Sequence, residues 1–194
     1  MPRPLNPLDR LFRRRLAKRN TDKLYGVIVA QARLPVFYRN FGAPDTVDGR
    51  FVVLSFHLFA LLHRLKKEGA PGRELAQQLM NRFARDMETV LREVGIGDLA
   101  IPKKVRGIVA SSHALLQAYD AALQAGDAAF DDAIAEALPT DPKRAEAASR
   151  ALASYVKGIV KELERQSFDG LCAGELHFAE IDEHPWTRRK KRRA

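Results

Sequence analysis

The 194-residue chain is long enough for one domain with a hydrophobic core and short for two. Its 46% apolar content argues against wholesale disorder, and a single cysteine, Cys172, rules out an intrachain disulfide or a cysteine-built zinc site. The net charge of +9 belongs to the two ends. Residues 1–19 hold seven bases against one acid and residues 188–193 are six bases, whereas residues 20–187 carry 20 bases and 23 acids.

In chain order, Pro7 suits a first helical position behind Asn6 as cap, and Leu8, Leu11, Phe12 and Leu16 share one face opposite Arg10, Arg13, Arg14 and Arg15. This predicts a short basic amphipathic helix. Thr21-Asp22 reads as the start of a second helix with Leu24, Tyr25, Ile28, Val29 and Ala32 toward the core. Pro35 interrupts it. A helical piece over residues 36–41 then ends at Gly42, a natural left-handed cap.

Residues 43–50 read as a loop into a central helix over 50–67, with Asp48 as its cap. This helix is apolar around most of its circumference and should be the most buried. The Gly69-Ala70-Pro71-Gly72 run predicts a sharp break, followed by a helix over 73–94 that Gly95-Ile96-Gly97-Asp98 stops. Pro102 opens a helix to about 125, Gly126-Asp127 separates it from a short helix over 128–138, and a last long helix covers 143–165. Residues 167–186 suggest an extended segment, and 187–194 are expected to be disordered. No segment alternates as a strand would. The fold class is therefore all-α: a single-domain array of about seven helices (20–186) with a basic N-terminal arm (1–19) and a basic C-terminal tail (187–194).

Four segments resemble the ubiquinol–cytochrome c chaperone family. They are Arg33-Leu34-Pro35-Val36-Phe37-Tyr38, Pro44-Asp45-Thr46-Val47-Asp48-Gly49-Arg50-Phe51, His57-Leu58-Phe59 with Arg64-Leu65, and Leu91-Arg92-Glu93-Val94-Gly95-Ile96-Gly97-Asp98-Leu99. The similarity covers roughly residues 8–180. It implies a helical assembly factor for the respiratory cytochrome bc complex, with cytochrome b or another subunit of that complex as partner and the ribosome nearby. It brings no catalytic residues and no cofactor.

Chemistry-bearing residues fit that expectation. No Gly-x-Ser-x-Gly, phosphate loop or Cys-x-x-Cys-His is present, so no enzyme is expected. His57 and His63 are six apart, on opposite helix faces, and form no metal pair; His57 reads as a hydrogen-bonded core residue. Phe37, Tyr38, Asp45, Asp48, Arg50 and Phe51 are the expected partner- or client-binding residues, around a hydrophobic or aromatic groove beside the central helix. In the loop, Asp45 is placed to receive Arg50 or Arg33 in a charge-assisted bond. Arg10, Arg13, Arg14, Arg15, Arg188, Arg189, Lys190 and Lys191 are candidates for contact with anionic membrane or RNA. No apolar run approaches the length of a membrane span, so a cytoplasmic chain, peripheral at the inner face of the membrane, is expected. The alternative is a helical nucleic-acid- or ribosome-associated protein acting through its basic ends.

Overall fold

The computed structural model describes residues 7–138, 145–178 and 181, with side chains described from residue 15 and again from 148. Among the described residues all regular structure is helical. The eight helices are α1 (Pro7–Ala32), α2 (Pro35–Arg39), α3 (Val47–Lys66), α4 (Gly69–Glu93), α5 (Ile101–Ala125), α6 (Asp127–Ala137), α7 (Ala145–Arg165) and α8 (Phe168–Ala173).

The first correction to the sequence reading lies in α1, which is one continuous helix of 26 residues. Thr21 starts nothing. Its hydroxyl bonds back to the Ala17 carbonyl at 2.9 Å and lies 2.9 Å from Gln78 Oε1. A threonine that bonds the carbonyl four residues back sits inside a helix, and its capping capacity is spent. Two further boundaries move. The break before α4 narrows to Gly69, whose φ is +62°, and Pro71 lies in the first turn, where its missing N–H costs nothing. Residues 168–173, read as extended, form α8. Ser167 accepts the Gly170 N–H, and Gly174, with φ +82°, closes the helix.

The chain gathers into two compact units. The first comprises Met1–Val27, Leu65–Val109 and Gln166–His177; the second comprises Ile28–Arg64, Ala110–Arg165 and Phe178–Ala194. In the first, α4 presents Gly72, Leu75, Leu79, Phe83 and Met87 as a buried stripe at helical spacing. Leu24, Tyr25, Leu65, Ile101, Leu171 and Leu176 are buried in the same unit. A Cβ on Gly72 would meet the Leu65 carbonyl oxygen at 2.1 Å, so only glycine lets the start of α4 approach the end of α3. At the margin of this unit Arg82 lies 3.1 Å from Asp22 and 3.4 Å from Asp86, and its guanidinium sits 4.7 Å from the Tyr25 ring centroid. The Tyr25 hydroxyl donates to Asp86 at 3.0 Å.

In the second unit α3 is the innermost element, as its composition predicts: residues 55–61 are all buried. Around it lie Ile28, Phe37, Phe41, Tyr119, Phe130, Ile134, Leu152, Val156, Ile159 and Leu163. Phe59 makes ring contacts with Tyr119 and Phe130. α6 packs on α7, and Lys157 bridges Asp127 and Asp131 at 3.1 and 3.0 Å. Arg64 is buried and donates from Nε to the Leu163 carbonyl, one of the last-turn acceptors of α7 that no intrahelical N–H reaches.

Candidate partner-binding site

The residues singled out around the second quoted segment fall together in the second unit, at two depths. Pro35 occupies the start of α2, and this short helix turns Phe37 inward. Phe37 is fully buried. Its ring lies 5.3 Å from His57, edge-on, 5.1 Å from Tyr155 and 5.7 Å from Phe41. It therefore supports the surface from beneath and faces no partner.

Below that surface the polar atoms are tied to one another. His57 Nδ1 is 2.8 Å from the Val53 carbonyl and Nε2 is 2.8 Å from the Tyr155 hydroxyl. A carbonyl only accepts, so Nδ1 carries the proton. Nε2 must then accept from the Tyr155 hydroxyl. Gln31 Nε2 in turn donates to the Tyr155 oxygen at 3.2 Å. Burial drives the His57 pKa down from 6.5 to about 4, against a small opposing effect of the Val53 bond. The imidazole is neutral and fully partnered, the hydrogen-bonded core histidine expected from the sequence. Burial likewise raises the Tyr155 pKa, keeping the phenol protonated as a donor.

Above it lies a polar patch with a fixed backbone. Thr46, not Asp48, caps α3: its hydroxyl oxygen accepts the Gly49 N–H at 3.1 Å. The helix starts at Val47, three residues before the expected position, which puts Asp48 in the first turn, exposed and at the favourable end of the dipole. Gly49 is buried beneath the loop, where a Cβ would meet the Pro44 oxygen at 2.0 Å. Arg50, one of the two partners expected for Asp45, donates to it at 2.7 Å, and its guanidinium lies 5.6 Å from the Tyr38 ring centroid. Tyr38 donates to the Ala32 carbonyl at 2.7 Å, and partial burial raises its pKa. Phe51 is half-buried. Leu34 and Val47, missed in the sequence reading, are exposed at 38% and 68%. The ionic pair Asp45–Arg50 thus lies beside Tyr38, and the same two segments carry the exposed apolar side chains Leu34 and Val47 and the half-buried Phe51.

Of the basic candidates, Arg15 is exposed; Arg10, Arg13 and Arg14 lie on the described backbone of α1. Arg188, Arg189, Lys190 and Lys191 lie outside the described residues, as do Asn6 and the whole C-terminal tail. The Cys172 thiol is exposed, and its pKa is raised by partial burial and by Asp169, Glu68 and Glu74, the opposite of an activated nucleophile. Among the described residues no helix is long and apolar enough to cross a membrane, and no three His, Cys, Asp or Glu side chains are grouped to hold a metal.

Among the described residues the body is all-helical, with a hydrogen-bonded network in its core and an exposed polar loop at the start of α3. The profile of the ubiquinol-cytochrome C chaperone family matches residues 39–178, and the chain belongs to this family, a family of chaperones and not of enzymes. Its sequence is 24% identical over 168 residues to ubiquinol-cytochrome-c reductase complex assembly factor 1 of Xenopus laevis, covering 83% of this chain and 81% of that one. It is 22% identical to the factor of the same name from Mus musculus, of whose length the match covers 55%. The crystal structure of the Cbp3 homolog from Brucella abortus superposes with a TM-score of 0.77 at 34% identity, over 89% of this chain and 97% of that one.

Proposed function

We propose that this chain is an assembly chaperone of the respiratory cytochrome bc complex that holds newly made cytochrome b, or a partner subunit, until a later subunit replaces it. Family membership carries the reading: the matched span contains Asp45, Asp48, Arg50 and Phe51, and the curated relatives are named as assembly factors of the ubiquinol-cytochrome c reductase complex. The patch geometry supports it. A few apolar anchors beside a rim ion pair are what a protein surface needs for specific contact, and the cap and core bonds hold them in place before binding. The action is stoichiometric shielding with no covalent step. We place the chain at the inner face of the membrane, where Arg10, Arg13, Arg14, Arg15, Arg188, Arg189, Lys190 and Lys191 meet anionic lipid or ribosomal RNA in a salt-sensitive way.

Deleting the gene and recording reduced-minus-oxidised spectra of the membranes tests this. Selective loss of the b-type signal of the bc complex, restored by the wild-type gene, is expected. A photo-crosslinker at Val47 then captures cytochrome b or its partner subunit. Unchanged spectra with normal bc-complex activity would remove the proposal.

A further inference from the structure

The connection between α4 and α5 is a second surface, within the first unit. Leu99 is completely exposed (101%) and Val94 is 60% exposed; of residues 92–100 only Ile96 is half-buried. Single apolar side chains on a surface are ordinary. Two within six residues, on a turn that is fixed, are not. Gly95, at φ +82°, donates to the Arg92 carbonyl, and the Ile96 N–H reaches the Leu91 carbonyl, closing a Schellman motif. The Ala100 N–H bonds the Gly97 carbonyl at 2.9 Å. Arg92 pins the turn through Glu88 at 2.7 Å and Asp98 at 3.4 Å, and so offsets the acids beside it.

The charge that follows has one sign. Lys103, Lys104 and Arg106 are all exposed, and the sequence holds no acid between Asp98 and Asp120. The first turn of α5 contains no acidic residue. Cations there oppose the helix dipole and cost stability, a cost that contact with negative charge would offset.

We propose that the α4–α5 tip docks on an anionic lipid surface, with Leu99 and Val94 entering the interface and Lys103, Lys104 and Arg106 meeting headgroup phosphates. A protein partner would have to supply two recesses and several acids in one fixed arrangement. A bilayer supplies apolar depth and negative charge to a tip of any shape. The proposal does not depend on which subunit the chain holds.

The test uses the full chain with Cys172→Ser and Leu99→Cys, labelled at position 99 with an environment-sensitive nitrobenzoxadiazole dye. Vesicles of phosphatidylcholine alone are compared with equimolar phosphatidylcholine and phosphatidylglycerol. The dye is expected to brighten and shift to the blue on the anionic vesicles only. Replacing Lys103, Lys104 and Arg106 together by Gln is expected to lower vesicle partitioning roughly a hundredfold, about fivefold per cation. Leu99→Asp, at a site that touches no core, is expected to lower it about tenfold while the circular dichroism stays unchanged. Co-sedimentation with an unmoved dye signal would overturn the proposal by placing lipid contact elsewhere. So would no binding to either vesicle, or full binding by the triple Gln variant.

Discussion

The two compact units solve the same problem, fixing the register of packed helices, by opposite means. In the second unit the polar atoms that choose the register are inside: Gln31, Tyr155, His57 and the Val53 carbonyl form one hydrogen-bonded chain beside Phe37. In the first, apart from the buried Thr21 hydroxyl beside Gln78, they are at the margin, where Asp22, Arg82, Asp86 and Tyr25 clasp α1 to α4 with side chains still 28–42% exposed at the three charged positions. Burial decides what each arrangement is worth. An internal bond cannot be replaced by water when broken, whereas a marginal ion pair is screened and rehydrated.

That contrast can be broken at its strongest point first. Phe37→Ala is expected to destabilise the protein by about 3–5 kcal/mol, the cost of an aromatic-sized cavity in a packed core, read as a fall in the urea midpoint. Next is pH. The unfolded His57 takes a proton near 6.5 and the folded one only near 4, so between these values the unfolded state binds more protons and stability falls as pH falls. The loss is on the order of 3 kcal/mol across that window and levels off below it. Denaturation curves of His57→Gln should lack this part of the slope; an identical slope would refute the assignment.

In the first unit Gly72→Ala should cost about 1–3 kcal/mol, because its Cβ meets backbone and cannot be relieved by a rotamer. A thermal melt measures it, and an unchanged midpoint would mean the α3–α4 joint yields easily. The smallest effect is expected from Arg82→Met, about 1 kcal/mol or less, shrinking further in high salt. A loss as large as that of Phe37→Ala would erase the distinction between the two units.

How much of this was legible in the sequence follows the same division. The stripes of α4 and the stops at Gly95 and Gly126 are local patterns, and they appear where periodicity and glycine place them. Thr21 misled because Thr-Asp is the usual signature of a helix start, while the partner that made it a mid-helix residue, Gln78, lies 57 positions away. Asp48 reads as the cap for a similar reason: it is a good capping residue near the expected start, and only the backbone shows that Thr46 stands one residue outside the helix. Ser167 and Gly174 did mark α8, but a six-residue helix shows no stripe to notice. At the site, a charge-assisted bond to Asp45 was readable from spacing, but the choice of Arg50 over Arg33 was not. Phe37 was not readable as a core residue. Its burial is set by His57 and Tyr155, which belong to other helices, and the only hint was a tyrosine inside the apolar stripe Leu152, Val156, Ile159.

The bond between His57 and Tyr155 spans 98 residues of chain. At roughly 5–20 residues per second, a ribosome needs about 5–20 seconds to make that stretch. For that time α3, whose residues 55–61 end up wholly enclosed, has been synthesised without α7, the helix that supplies the Tyr155 hydroxyl. Contacts so distant along the chain also form slowly. A member of a chaperone family thus leaves its own apolar helix without its partner for much of its synthesis, and its yield should depend on how quickly translation carries it from α3 to α7.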